Sequence, residues 1–328
     1  MDVRDYDIKH WQNVAQYMRR TKGLYYKSID RIVKLYSQIP QDVPFELNAY
    51  PGIKKGIELE LQNLAKQLNS SVVNGISNEW ALSGMKNDEI VTKLAKGRAL
   101  PKLLQQKWMG RNLDALAAFK KRAEKGLGLS DRIWQTVRTQ AVNIEQHLAL
   151  GVHEGQSAAS LATEMKQYLN EPDKLFRRVR DAKGELRLSK AAKAYHPGRG
   201  KYRSSYQNAL RLTRTETNMA YQKADAERWK QQDFVTGVIV QRSNVPYDCD
   251  ICEAGVGEYP VGYEWTLWHP NCRCVARPKL PTEDEFLKSM DAGFAGKEYE
   301  FTGKVKDIPS SMKKFQKETG FEHFGHEH

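Results

Sequence analysis

All four cysteines of the chain lie between Cys249 and Cys274, in the stretch CDICEAGVGEYPVGYEWTLWHPNCRC. Cys249 and Cys252 form a C-x-x-C, His269 follows, and Cys272 and Cys274 close the stretch one residue apart. Two close pairs joined by a loop supply a tetrahedron of soft ligands from little sequence, so the spacing is that of a metal site. A thioredoxin-like C-x-x-C follows a strand, opens a helix and has no use for a second cysteine pair nearby, which places redox chemistry behind metal ligation. In an extended segment Cys272 and Cys274 point to the same face. Five residues then compete for four positions. Cys249, Cys252, Cys272 and Cys274 are the first choice, and three cysteines with His269 are the alternative. In the four-cysteine case His269 supports the site from outside the ligand set.

The loop between the pairs reads as an ordered module. Gly255, Gly257 and Gly262 allow tight turns, and Tyr259, Tyr263, Trp265, Leu267 and Trp268 offer a small apolar core. A unit of this size cannot be stabilised by burial alone, so structural zinc is the expected cofactor. Catalytic zinc needs an open position and a general base. Asp248, Asp250, Glu253 and Glu258 are close in sequence, but acidic loop residues are common, and no catalytic residue is assigned.

The compartment bears on this choice. The first twenty residues carry charges throughout and have no apolar centre, so no signal peptide is expected. No apolar run approaches the roughly 18 residues of a membrane span. A protein made in a reducing cytoplasm keeps its thiols free for metal, which ranks a disulfide cluster second. The chain has 328 residues and a formal charge of +12, enough for two or three domains or one domain with an extended arm, and for attraction to a polyanion.

The fold class expected is α+β: a mostly helical N-terminal body and a small C-terminal helix-plus-strand module carrying the cysteines. Residues 1–129 form a helical region, with Trp11, Val14, Tyr17 and Met18 as one stripe and Ile29, Ile32, Val33 and Tyr36 as another. The three prolines between Ile39 and Gly52 predict a loop. A helix over 53–69 is expected to break at Asn74–Ser83 and resume at Asn87. Residues 130–173 read as a helical pair, the first capped by Ser130 and lined by Ile133, Val137, Ile144 and Leu148. Residues 174–203 form a basic linker. Its eleven cations are Lys174, Arg177, Arg178, Arg180, Lys183, Arg187, Lys190, Lys193, Arg199, Lys201 and Arg203, against Asp181 and Glu185. Such a run is often a solvated face. The aromatic and turn residues of AYHPGRGKYRSSY instead suggest an ordered loop meeting a phosphate backbone, which makes double-stranded DNA a non-specific partner. No base-reading element is recognisable.

Residues 204–280 form the cysteine module, and 281–328 a tail. Ser204 or Ser205 caps a helix to about Gln232, and the β-branched run Phe234–Arg242 predicts a strand leading to Cys249. Glu216 on this helix reads as a surface residue; packed inward, it needs an arginine, for which Arg211 and Arg214 are the near choices.

Taken together, RLTRTETNMAYQKADAERW, the strand, DCDIC and WHPNCRCVARP resemble the phage head morphogenesis domain, the minor head protein family typified by protein F of phage Mu. That family shows an Arg-Thr-Glu helix, a C-x-x-C and a closing His-Pro-x-Cys-Arg-Cys. The resemblance spans about Ser130 to Pro278 and is carried by Arg214, Thr215, Glu216, Cys249, Cys252, His269, Pro270, Cys272, Arg273 and Cys274. It implies a minor capsid protein of a virion or prophage that associates with the portal and other capsid proteins, acts in head assembly, DNA packaging or genome delivery, and has no catalytic role. The alternatives are a zinc-supported, nuclease-like enzyme acting on nucleic acid and a DNA-binding regulator.

Overall fold

The computed structural model describes residues 3–39, 47–153, 156–170, 178–180, 182–183, 186–188, 204–243 and 247–321. Most of these are helical. The helices are α1 (Val3–Tyr36), α2 (Pro51–Leu94), α3 (Lys102–Trp108), α4 (Leu113–Lys121), α5 (Leu129–His153), α6 (Ala158–Asn170), α7 (Ser205–Gln231), α8 (Asp250–Ala254), α9 (Glu283–Phe294) and α10 (Ser310–Thr319). Strands β1 (Arg178–Arg180) and β2 (Leu186–Leu188) pair antiparallel. Strands β3 (Gly237–Gln241), β4 (Gly257–Tyr259) and β5 (Val275–Lys279) form an antiparallel sheet in the order β4-β3-β5. The α+β class expected from the sequence is the class observed.

The chain divides into two compact units, and α1, α2 and α7 contribute residues to both. One comprises 15–73 and 126–214. Its core is built from helical stripes: Tyr25, Ile29, Ile32 and Tyr36 on α1, Leu61, Leu64, Leu68 and Val72 on α2, and Ile133, Val137, Ile144 and Leu148 on α5. Three- and four-residue spacing stacks these side chains on one face of each helix. The start of α7 is tied in by hydroxyls. Ser204 Oγ accepts from the Gln207 amide and donates to the Leu169 carbonyl, so Ser204 is the N-cap. Ser205 Oγ donates to the Thr136 carbonyl at 2.6 Å, which leaves the Tyr25 hydroxyl to donate to Ser205 at 2.8 Å.

The other unit comprises 1–14, 74–125 and 215–328. It carries the three-stranded sheet. Phe234, Trp108 and Phe286 pack ring against ring with centroids 5.0–5.3 Å apart, and the Trp108 indole donates to Asp233 at 2.7 Å. These contacts hold α3, the entry to β3 and α9 together.

The expected course of two segments differs from the structure. The helix expected to break at Asn74–Ser83 runs unbroken from Pro51 to Leu94. Its polar residues Glu79, Ser83, Lys86 and Asn87 are buried with partners of their own, and tertiary packing overrides their modest helix propensity. The segment expected as a tail from 281 forms α9 and α10. Phe286, Met290, Phe301 and Met312 are buried, the Val305 amide donates to the Thr236 carbonyl at 2.8 Å, and Phe321 meets Trp268 edge-on. Single apolar residues spread over a charged segment give weak periodicity, yet each fills a site on this unit. The histidines of the final HFGHEH lie outside the described residues.

Candidate metal centre

Three local structures bring the cysteines together. Cys249 occupies the N-cap position of α8 in extended backbone, and Cys252 lies in its first turn, so one helical turn draws the first pair together. Gly255 ends α8 beneath the Trp268 ring, where a Cβ would come within 2.4 Å of the indole. Glycine is required there by space. After Trp268 the chain turns at Asn271, whose φ of 65° is one that asparagine tolerates, and the Cys272 amide donates to the His269 carbonyl at 3.0 Å. Cys272 and Cys274 then lead into β5 with both side chains buried, as their alternate spacing predicts.

The five candidates form one cluster of two overlapping groups that share Cys252. Cys249, Cys252 and His269 place their ligand atoms within 4.8 Å of one another, as do Cys252, Cys272 and Cys274. His269 Nε2 is 3.2 Å from both the Cys249 and Cys252 sulfurs, and the Cys252 and Cys272 sulfurs are 3.7 Å apart. Two sulfurs on one tetrahedral zinc are separated by ~3.8 Å, from Zn–S bonds of ~2.3 Å. The donor set therefore suits a metal ion. Among the described residues both metal-competent groups consist of cysteine and histidine alone. Asp248, Asp250, Glu253 and Glu258 are exposed.

The electrostatics of the cluster point the same way. Hydrogen bonding to Cys272 and burial raise the Cys252 thiol well above its ordinary range. Cys252 draws the Cys272 thiol down, but Cys274 beside it and burial leave it at about 12. Cys252 and burial push Cys274 to about 12 as well. Neighbouring buried thiols cannot all ionise without a cation among them. The Tyr247 hydroxyl lies 3.5 Å from the Cys274 sulfur, and burial opposes its ionisation, so it keeps its proton beside that sulfur. The Arg242 and Arg273 guanidiniums lie over the Tyr247 ring at 4.7 and 5.5 Å.

Behind the cysteine loop stands α7. Thr215 Oγ1 accepts from the Asn271 amide at 3.2 Å, and Asn218 Nδ2 donates to the Cys272 carbonyl at 3.4 Å. Asn218 Oδ1 meets His10 Nε2 at 3.1 Å, and His10 Nδ1 meets the Glu79 carboxylate at 2.6 Å. The sequence reading missed His10, Glu79, Asn218 and Tyr247 as supports of this loop. A signal did exist for His10 and Glu79: each replaces an apolar residue in a buried stripe, Tyr6–His10–Val14 and Val72–Ile76–Glu79.

Glu216, read as a surface residue, is buried at 1 % exposure, and Arg122 donates to it at 2.7 Å. Arg122 also stacks on Phe119 at 3.7 Å. Sequence distance suggests Arg211 and Arg214; Arg122, from the end of α4, is a cation that only the fold brings to this carboxylate. Of the basic run, Arg178, Arg180 and Arg187 lie on β1 and β2, and Lys183 is exposed in the turn between them. Lys174, Arg177, Lys190, Lys193, Arg199, Lys201 and Arg203 lie outside the described residues.

Among the described residues no helix is long and apolar enough to cross a membrane. No family model, curated protein or solved structure matches the chain.

Proposed function

We propose that this chain is a minor head protein of a tailed phage or prophage, held at the portal, with a zinc ion as a structural staple of its C-terminal module. The observation that carries this reading is the interlock between the two halves of the motif. The Arg-Thr-Glu helix and the His-Pro-Asn-Cys-Arg-Cys loop resemble one family only when taken together, and Thr215 and Asn218 on the first hydrogen-bond the backbone of Asn271 and Cys272 on the second. A cation at the cysteine cluster would displace the thiol protons to solvent and be held by the resulting thiolates, and would fix the loop against α7. Cys252, Cys272 and Cys274, with Cys249 or His269, are the residues that would hold it.

The role is structural and interactive. The portal ring and neighbouring capsid proteins are the protein partners, and the basic run Lys174–Arg203 makes sequence-independent contact with double-stranded DNA. The protein is assembled in the host cytoplasm and retained in the virion head.

Co-expression with the portal protein of the same virus tests this. The expected outcome is co-elution with the portal ring and density at the ring in electron micrographs. DNA binding is expected to be sequence-independent, to fall steeply with salt, and to weaken when Arg177, Arg178 and Arg180 are changed to glutamate. Failure to associate with the portal removes the assignment. Magnesium-dependent DNA cleavage that is lost on Glu216 or Asp248 substitution replaces it with the nuclease reading, and a preferred DNA sequence replaces it with the regulator.

A further inference from the structure

A tetrahedral ion takes four ligands, and the cluster offers five. The sulfurs of Cys252, Cys272 and Cys274 lie within 4.8 Å of one another and are all fully buried, which makes them three corners of one site. Cys249 and His269 both meet this trio at Cys252, and their own donor atoms are 3.2 Å apart. They compete for one corner.

The second ring nitrogen of His269 separates them. Nδ1 lies 2.8 Å from the Pro270 carbonyl. A carbonyl only accepts, so Nδ1 carries the proton, and a neutral imidazole then has a bare lone pair at Nε2. A ring pinned by a backbone carbonyl at one nitrogen and bare at the other is the form in which histidine binds metals. That lone pair faces the Cys249 and Cys252 sulfurs at 3.2 Å. With four ligating thiolates, it would be set against two negative sulfurs. Chain geometry agrees: His269, Cys272 and Cys274 share one loop, closed by the Cys272 amide on the His269 carbonyl. Exposure agrees too, since Cys249 is the one cysteine that is not buried.

Building on the staple reading, we propose that His269, Cys252, Cys272 and Cys274 hold the metal, and that Cys249 stays beside the loaded site as a partly exposed, modifiable thiol. A metal-loaded chain then has one sulfur open to electrophiles. With iodoacetamide, the Cys249 sulfur forms a bond to the methylene carbon, iodide leaves with the electron pair of the broken C–I bond, and the thiol proton passes to solvent.

Full-length protein loaded with zinc, and in parallel with cobalt(II), is treated with iodoacetamide and mapped by mass spectrometry. One adduct at Cys249 is expected in the loaded chain, and four adducts after denaturation with a chelator. The cobalt spectrum should show three sulfurs and one nitrogen. Cys249→Ser should keep one metal per chain and the same spectrum. Since loss of a partner outside the ligand set already weakens metal binding ~10–100-fold, His269→Ala should weaken it by at least that much. A four-sulfur spectrum that Cys249→Ser converts to three, or a Cys249 protected in the loaded chain, overturns the assignment while leaving the staple intact. A native chain that binds neither metal overturns the staple reading and this assignment with it. The wild-type peptide map and cobalt spectrum decide the matter even where His269→Ala does not fold.

Discussion

Around Lys86, buried charge is closed within the chain: the ammonium meets Asp225 and Asp7, Asp225 accepts from Ser83 and Asn87, the Tyr221 hydroxyl bonds Asp7, and the Trp229 indole bonds Asn87. Burial alone would lower the ammonium's ionisation, but the two carboxylates raise it, so Lys86 remains a cation. Around Cys252, in the same unit, the buried groups are thiols facing thiols, and among the described residues no buried lysine or arginine is paired with them. The first cluster balances itself, and the second is built to be balanced from outside. Groups that complete each other tolerate changes in the medium but not the loss of a member, whereas a cluster that needs an ion depends on the ion's supply.

The largest expected effect is metal removal, because structural zinc in small modules binds with an apparent ~10–16 kcal/mol at neutral pH. A strong chelator should release hydrogen-exchange protection across 247–274 while leaving amides near Lys86 protected. Loading should also release protons, and apparent affinity should rise with pH, since Cys272 and Cys274 hold their protons up to about 12 without metal. Equal loss of protection in both regions would erase the distinction between them.

Next comes Lys86→Met. It leaves Asp225 buried at 0 % exposure without its cation, and breaking such a pair costs about 3–5 kcal/mol. Denaturant unfolding measures this, and the double variant Lys86→Met with Asp225→Leu should recover a large part of the loss. A single variant as stable as wild type would show that the network is not the closed system described.

The smallest effect tests the surface of the same unit. Burial opposes ionisation of Glu264, but Lys223 and Lys230 hold its carboxyl down at about 2. Its folded value lies below the ordinary ~4.3, so its stabilisation is complete above that pH and is lost as pH falls toward 2. The group is partly exposed, which limits the contribution to under about 1 kcal/mol. Glu264→Gln should flatten the acid limb of the stability profile by that amount.

Much of the fold was legible because it rests on local periodicity. The second stripe on α1, Ile29 to Tyr36, and the stripe on α5 predicted buried faces, whereas of Trp11, Val14, Tyr17 and Met18 only Val14 is buried; the β-branched run after Asp233 predicted β3. The α7 helix was harder to read. Its apolar positions are sparse, and nothing in a linear pattern says that Thr215, Glu216, Asn218 and Asp225 are buried. Their partners Arg122, His10 and Lys86 lie far away in sequence, and polar burial is decided by such partners. The segment after 281 was misread for the same reason: Phe286 and Met312 find their places only once β3 and α8 exist.

The Cys249–Cys274 stretch marks the limit most clearly. The sequence by itself determined that there is one metal-competent site, that Cys272 and Cys274 share a face, and that five donors contend for it, because ligand chemistry and short spacing are local properties. Only the tertiary structure decided that Cys252 joins both groups, that His269 Nε2 meets the Cys249 and Cys252 sulfurs at 3.2 Å, and that α7 braces the loop through Thr215 and Asn218. Those outcomes depend on distances and hydrogen-bond directions that exist only after distant segments pack.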